Sequence, residues 1–161
     1  MKKLSAGILL YRVSGGRLSV LLVHPGGPFW AKKDLGAWSI PKGEYEEGQD
    51  PREAALRELG EETGLALDDI DLVPLDAVRQ KSGKVVTAWA AEHDFDVATL
   101  VSNTFEMEWP KGTPPREFPE VDRAQWFPPH EARRKVVAAQ AEFIERLIAK
   151  LRAEGREIDD A

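Results

Sequence analysis

The chain has 161 residues, of which 42% are hydrophobic and 31% charged, and its formal net charge is −6. These values predict a soluble globular protein with enough residues for a substantial core. The negative charge argues against a protein that coats DNA or RNA, so no bulk nucleic-acid binding is expected. The lack of cysteine excludes disulfides and thiolate metal sites. No apolar run approaches the roughly 20 residues of a membrane span, so we expect a cytoplasmic protein without a membrane partner.

The N-terminal part is predicted to form a β-hairpin. Two apolar, β-rich runs, residues 6–13 and 18–24, flank a turn that contains two glycines. The Pro-Gly-Gly-Pro sequence at 25–28 then interrupts the strand pattern and predicts a loop that carries Phe29 and Trp30. A short strand is predicted after this loop, at residues 38–40.

The clearest predicted helix lies between Asp50 and Gly64. Asp50 suits the N-cap, and Pro51 suits the first helical position. Glu53 completes the pattern of a capping box with Asp50, and Gly64 fits the position after the last turn. The predicted buried stripe of this helix consists of Ala55, Leu56 and Leu59.

Strands, a loop and helices are predicted for the rest of the chain. In order, they are strands at 72–80, 85–93 and 104–109, a Pro-rich loop at 110–119, a short strand at 124–127, and helices at 130–135 and 138–153. Without repeats or low-complexity segments, the sequence predicts one domain over residues 1–154. Residues 155–161 are polar and are expected to form a flexible tail.

The predicted helix carries a cluster of acidic residues. Glu58 precedes Glu61 by three positions and Glu62 by four, so a helix directs their side chains toward one region. Carboxylate oxygens suit Mg²⁺ or Mn²⁺. Arg57 supplies a cation for one carboxylate, and Gly43 allows a loop carbonyl to approach the metal. The alternative is a solvated acidic helix surface, which is the usual meaning of such a charge run.

The spacing around this helix resembles the Nudix box, the signature of the Nudix hydrolases. The family pattern is Gly, five residues, Glu, seven residues, Arg-Glu, an aliphatic residue, any residue, Glu-Glu, any residue, Gly and an aliphatic residue. This chain supplies Gly43 and the nine residues RELGEETGL at 57–65. Gln49 is the one departure, because the family has Glu there. The resemblance extends over residues 4–150 and is sharp over 43–65.

The resemblance implies both a fold and an activity. The implied fold is an α/β/α sandwich around a mixed β-sheet, and the implied reaction is hydrolysis of a nucleoside diphosphate linked to another group, with Mg²⁺ or Mn²⁺. By position, the implied metal-site residues are Gly43, Glu58, Glu61 and Glu62. Glu58 is also the implied base, and Arg57 and Glu61 complete the implied catalytic group. Members of the family differ in their base, and Glu120 is the first candidate outside the box.

Candidate substrate-binding residues lie mainly in loops. An aromatic ring next to Gly and Pro is well placed to stack on a nucleotide base, and Lys and Arg side chains are able to contact phosphates. The candidates are Lys42, Phe29, Trp30, Arg116, Phe118 and Glu120. The alternative for the aromatic residues is hydrophobic packing.

The sequence thus predicts a metal-dependent pyrophosphohydrolase of a nucleoside polyphosphate, such as a nucleoside triphosphate or a dinucleoside polyphosphate. Its expected partner is a small-molecule nucleotide. Because Nudix proteins are often dimers, a homodimer is a further option, although no residue marks an interface. An alternative is a nucleotide-binding sensor without turnover, which Gln49 favours. A third reading is a structural protein with a solvated acidic helix, which would bind no Mg²⁺.

Overall fold

A six-stranded mixed β-sheet forms the centre of the structure, a computed structural model that describes residues 3–68 and 71–161. The strands are β1 (Leu4–Ser14), β2 (Arg17–Pro25), β3 (Lys42–Tyr45), β4 (Val73–Arg79), β5 (Val85–Glu92), β6 (Thr104–Met107), β7 (Arg116–Pro119) and β8 (Val121–Phe127). The strand order is β4-β5-β1-β2-β8, with β3 paired to β1, and β6 and β7 form a separate hairpin. Among these strand pairs of the described chain, only β1–β5 is parallel.

Helices cover both faces of this sheet, as the alternation along β1 requires. Leu9 faces a core cluster that includes residues of the C-terminal helix, whereas Ile8 and Leu10 face a second cluster that includes Ala55 and Leu59. The helices are α1 (Pro51–Thr63), α2 (Pro129–Lys135) and α3 (Ala141–Ala153), with short 3₁₀ turns at Val97–Thr99 and Ala138–Gln140. The arrangement is the predicted α/β/α sandwich.

The predicted ends of helix α1 agree with the structure. The Asp50 carboxylate accepts a hydrogen bond from the Arg52 N–H at 2.9 Å, and such a cap contributes ~1 kcal/mol. Gly64 ends the helix with a left-handed φ of 84°, a conformation that glycine adopts without a steric penalty. Its N–H donates to the Gly60 carbonyl at 2.8 Å. The caps therefore fix which residues α1 presents to the sheet.

Several predicted boundaries were wrong, and strand β8, for example, begins at Val121 instead of residue 124. At the predicted strand 38–40, only Trp38 and Ser39 form isolated bridges to neighbouring segments, and the regular strand β3 begins later, at Lys42. Residues 116–119, predicted as loop, form strand β7, which pairs with β6 so that Phe118 lies opposite Phe105. This cross-strand aromatic pair stabilises a hairpin, and the prolines that suggested a loop lie mostly in its connection.

Residues 155–161, which are expected to form a flexible tail, contact the rest of the domain in the structure. Ile158 is buried in the core cluster on the α3 side of the sheet. The Asp159 N–H donates to the Gly16 carbonyl at 2.9 Å, and Arg156 forms an ion pair with Glu92 at 2.8 Å. One apolar side chain in a polar segment is enough to attach it to the core. In the part of the chain that the structure describes, no helix is long and apolar enough to cross a bilayer.

Candidate active site

The side chain of Glu58 packs directly against Gly43. Glu58 lies on α1 and is only 9% exposed, and Gly43 lies on β3, opposite Ala6 of β1. A Cβ atom added to Gly43 would lie 2.0 Å from Cδ and 2.1 Å from Oε2 of Glu58. No real side chain tolerates such distances, so glycine at 43 provides the space that the Glu58 carboxylate occupies. The sequence suggested instead a carbonyl close to a metal, and this steric role is a separate one.

Arg57 lies between two of the carboxylates. Its guanidinium NH2 is 3.4 Å from Oε1 of Glu58, and its Nε is 4.0 Å from Oε1 of Glu61. The same NH2 is 3.5 Å from the carbonyl oxygen of Glu44 on β3. These are long contacts of an exposed side chain, so they orient the acidic groups more than they stabilise the fold.

Burial, together with neighbouring carboxylates, raises the pKa values of Glu58, Glu62 and Glu120. Burial, and then the charge of Glu61, raise the pKa of Glu58. The same two causes raise the pKa of Glu120, which lies between β7 and β8. Burial raises the pKa of Glu62 to about 8, although its carboxylate accepts a hydrogen bond from the Lys42 N–H at 3.2 Å. Burial also lowers the pKa of Lys42. Desolvation therefore outweighs the attraction between Glu62 and Lys42, and the region favours an added cation.

The side chains do not form a finished metal site. Among residues 3–68 and 71–161, no three acidic or His side chains converge closely enough to hold an ion. Glu58 is packed against Gly43, whereas Glu62 is directed to the backbone of Lys42. The carboxylates nevertheless provide the hard oxygen ligands that Mg²⁺ and Mn²⁺ take. Their mutual repulsion is also what a divalent ion would relieve, so the donor set fits such an ion.

Two adjoining cavities open beside the acidic residues. The larger, about 500 Å³, has Lys42, Glu62 and Glu120 among its lining residues. The smaller, about 350 Å³, is lined mainly by the 25–30 loop and by the β6–β7 hairpin. Pro25, Trp30 and Glu120 line both. Glu62, Glu120 and the aromatic loop therefore face one connected space, whereas Glu58 and Glu61 do not line either cavity.

The two aromatic residues of the loop are placed differently. Trp30 is half-buried and lines both cavities, whereas Phe29 lines only the smaller one and is 53% exposed. Their rings meet edge to face at 5.1 Å. The Lys33 ammonium lies 3.7 Å from the centroid of the Phe29 ring and 5.0 Å from that of the Trp30 ring, so it lies closer to Phe29. Trp30 is therefore the better placed of the two to stack on a base.

Arg116 and Phe118 lie away from this space. Neither residue lines the two cavities within the described chain. Phe118 packs on Phe105 with ring centroids 6.1 Å apart, and the Arg116 guanidinium lies 5.4 Å from the Phe118 ring. The partner, Phe105, faces the smaller cavity instead, in contact with Gly27. Hydrophobic packing, the alternative considered for Phe118, is the role that its position supports.

Sequence reasoning assigned no role to His24, which holds the aromatic loop in place. The ring is fully buried. Its Nδ1 is 2.8 Å from the Asp122 carboxylate, and its Nε2 is 2.6 Å from the carbonyl oxygen of Lys33. An ionisable residue within an apolar strand was the available signal, but its partners lie on a distant strand and in the loop. The spacing of residues along the sequence does not predict that these partners lie next to His24.

Comparisons with known proteins identify related sequences and folds. The model of the NUDIX domain matches residues 1–147. An RNA pyrophosphohydrolase of Erythrobacter litoralis is 28% identical over 162 residues, which cover 90% of this chain and 93% of that protein. A Caenorhabditis elegans Ap4A hydrolase in a binary complex has a TM-score of 0.64 at 22% identity, over 92% of this chain and 98% of that one. The NUDIX domain of Shewanella oneidensis NrtR, complexed with ADP ribose, has a TM-score of 0.64 at 19% identity, over 94% and 89%.

Proposed function

The chain belongs to the Nudix family, and from that premise we propose that it is a divalent-metal-dependent pyrophosphohydrolase that cleaves a diphosphate linkage of a nucleoside polyphosphate. One observation carries the proposal. The Glu58 carboxylate is held against Gly43, in the electrostatic field of Glu61 and Glu120. Glu62 and Glu120 in turn line a cavity of about 500 Å³, which suits a nucleotide-sized ligand.

The proposed metal ligands are the side chains of Glu58, Glu61 and Glu62 and the backbone carbonyl of Gly43. Mg²⁺ is the proposed ion, with Mn²⁺ as a substitute. When bound, such an ion would neutralise charge on the diphosphate and lower the pKa of the attacking water. Arg57, in contact with Glu58 and Glu61, would keep two of the carboxylates oriented.

The proposed reaction requires a base for the attacking water. Water adds to phosphorus, its proton passes to a carboxylate, and the P–O bond of the anhydride breaks with its electron pair on the leaving phosphate. Burial raises the pKa of Glu58, which makes its carboxylate a stronger proton acceptor. The pKa of Glu120 is also raised by burial, and this residue lines both cavities. Glu58 is the first candidate for the base, and Glu120 is the second.

The proposed substrates share a nucleoside and a phosphoric anhydride. Trp30 offers a stacking surface and Lys42 a cation in the same cavity. Nucleoside triphosphates and dinucleoside polyphosphates fit this description. The relative named RNA pyrophosphohydrolase adds RNA with a 5′ polyphosphate, and the structural neighbours named for Ap4A and ADP ribose add those compounds. A small-molecule nucleotide remains the proposed ligand class.

The sensor alternative rests on Gln49, and the surroundings of this residue do not favour it. The Gln49 side-chain oxygen accepts a hydrogen bond from the Glu46 backbone N–H at 2.8 Å. The backbone N–H of Gln49 donates to the Glu46 carbonyl at 3.0 Å. The residue therefore closes a local turn, for which an amide oxygen serves as well as a carboxylate. The three proposed carboxylate ligands are unaffected.

The test is a product assay with Mg²⁺ and with Mn²⁺ over nucleoside triphosphates, diadenosine polyphosphates, ADP-ribose, nucleotide sugars and 5′-triphosphorylated RNA. We expect metal-dependent release of a nucleotide product. Glu58→Gln should lower kcat by about 10²- to 10⁴-fold, the range for loss of a general base. Glu53→Gln is the matched control, because Glu53 is an exposed carboxylate on the same helix. If the protein binds nucleotide and metal but shows no turnover, the sensor alternative replaces the proposal of an enzyme.

A further inference from the structure

A fully buried amide, that of Gln140, lies behind one wall of the larger cavity. Its Oε1 accepts a hydrogen bond from the Ile40 N–H at 2.9 Å. Its Nε2 donates to Oγ of Ser39 at 3.0 Å and to Oε1 of Gln80 at 2.9 Å. Gln80 belongs to the connection between β4 and β5 and lines the cavity together with Ser39. Gln140 thus joins three chain segments at the cavity wall.

These contacts fix the direction of both amides. A backbone N–H only donates, so the Gln140 atom next to Ile40 must be the oxygen. The other Gln140 branch is then the NH₂ group, which only donates, so the Gln80 atom that faces it must be an oxygen as well. The Gln80 NH₂ group is therefore the branch left for the cavity. The orientation of both side-chain amides follows from the Ile40 backbone N–H, which is always a donor.

The backbone around Gln80 is also held. Its N–H donates to the Lys84 carbonyl at 2.8 Å, and its own carbonyl accepts from the Gly83 N–H at 2.9 Å. The side chain is half-buried, so its position is restricted while it still faces the cavity. A donor fixed in this way loses little conformational entropy when it binds a ligand.

We propose that Gln80 is a ligand-contacting residue that offers only hydrogen-bond donors to the nucleotide, and that Gln140 is the positioning residue that sets this polarity. The proposal rests on the proposed function, since it takes the ligand of the cavity to be the nucleotide. The complementary group is an acceptor atom. It comes either from the base, as a carbonyl oxygen or ring nitrogen, or from a phosphate oxygen.

The first experiment measures binding by calorimetry, with probes that lack a cleavable P–O–P bond. The probes are the four common ribonucleoside 5′-monophosphates and methylenediphosphonate, each with Mg²⁺. Gln80→Met keeps the length of the side chain and removes the donor. It should weaken binding about tenfold, the effect expected for one lost hydrogen bond to a ligand. Gln125→Met is the control, because Gln125 is an exposed glutamine on β8.

The choice of probe identifies the acceptor. A loss that is confined to one or two of the monophosphates places the acceptor on the base. A loss that is equal for all monophosphates and for methylenediphosphonate places it on a phosphate. Unchanged binding in Gln80→Met, or no binding of any probe by the unsubstituted protein, overturns the proposal.

The positioning role needs a second variant. Gln140→Glu retains an acceptor for the Ile40 N–H but faces Gln80 with an acceptor instead of a donor. The Gln80 amide should then turn over and direct its oxygen into the cavity. Binding of the nucleotide probes should therefore fall about tenfold, measured at pH 8.5 so that the new carboxylate is ionised and acts as an acceptor. In a Gln80→Met background, the same change should cost nothing further. Equal losses in both backgrounds would identify a merely structural role for Gln140.

Failure of this proposal is separable from failure of the proposed function. Turnover by the unsubstituted protein, together with normal binding by Gln80→Met, removes the role of Gln80 and leaves the enzyme. If Gln80→Met binds the probes more weakly but the unsubstituted protein shows no turnover, the ligand contact of Gln80 stands and the proposed enzyme function fails. The melting temperature of Gln140→Glu shows whether this variant is folded, and Gln80→Met decides the ligand contact in either case.

Discussion

The two sides of the larger cavity are built in different ways. The acidic side comes mainly from one continuous segment, residues 42–64, in which Gly43 and Glu58 are packed against each other, and Glu120 joins it from a distant part of the chain. The loop side, residues 25–40, is held by groups that lie about a hundred positions further along the chain, namely Asp122 and Gln140. The acidic side is therefore encoded mainly in local spacing. The loop side exists only once the sheet has formed, and small changes there are expected to alter binding before they alter chemistry.

The largest expected effect is on the acidic side. Gly43→Ala places a Cβ atom 2.0 Å from Cδ of Glu58, so the carboxylate must move. We expect kcat to fall by about 100-fold or more, since a displacement of ~1 Å in a catalytic group has effects of that size. The measurement is steady-state turnover of the substrate identified in the product assay.

Gly60→Ala is the matched control for this prediction. An added Cβ on Gly60 would lie 3.7 Å from the nearest atom, the Leu65 carbonyl oxygen, which is an ordinary contact. Turnover should be retained, and the melting temperature should stay the same or rise, because Ala favours a helix over Gly by ~1 kcal/mol. Full activity in Gly43→Ala would show that the position of Glu58 does not matter.

The loop side should respond through KM. Trp30→Ala should raise KM about tenfold with little change in kcat, because stacking on a base is worth ~1–3 kcal/mol. Phe29→Ala should change KM less than about threefold, since the ring is 53% exposed and lies closer to the Lys33 ammonium than Trp30 does. Equal effects of the two changes would contradict the difference in their positions. Phe118→Ala is a further control in the β6–β7 hairpin. It should leave KM unchanged, because Phe118 lines neither of the two cavities.

A smaller effect on the acidic side should appear in the pH dependence of stability. The pKa of Glu62 is raised to about 8 from a reference value of 4.5. Between these values the folded chain binds more protons at Glu62 than the unfolded chain does, so the contribution of Glu62 to stability falls as pH rises. Glu62→Gln keeps an acceptor for the Lys42 N–H and lacks this titration.

Melting curves in EDTA, taken from pH 5 to pH 8, measure this contribution. The melting temperature of the unsubstituted protein should fall relative to that of Glu62→Gln by several degrees, since each ~1 kcal/mol shifts the melting temperature of a domain of this size by ~3 °C. Added Mg²⁺ should reverse the difference at pH 8, because the ion favours the carboxylate. Parallel curves for the two proteins in EDTA would contradict the raised pKa.

The sequence predicted the acidic side of the cavity better than the loop side, because the first depends on local spacing and the second on distant contacts. The ends of α1 were predicted because Asp50, Pro51 and Gly64 act through local backbone geometry. Glu58, Glu61 and Glu62 lie on α1 as predicted, because helical spacing is local as well, but their carboxylates do not converge in the described part of the chain. Strand β7 was missed because its stability comes from Phe105 on another strand. The roles of His24 and Gln140 were missed because each depends on partners from distant segments, and neither has a spacing signature.

The smallest expected effect concerns the one position at which the chain departs from the Nudix pattern. Gln49→Glu restores the family residue, and its carboxylate is able to accept the same hydrogen bond from the Glu46 N–H. Gln49 is exposed, so the added charge is largely screened. We expect kcat/KM and the Mg²⁺ concentration for half-maximal turnover to stay within about twofold, a free-energy change of ~0.4 kcal/mol. A tenfold gain in turnover, or a clear drop in the Mg²⁺ requirement, would mean that the family glutamate supports the metal site. Gln49 would then be the reason for a weakly active protein, and the sensor alternative would regain its basis.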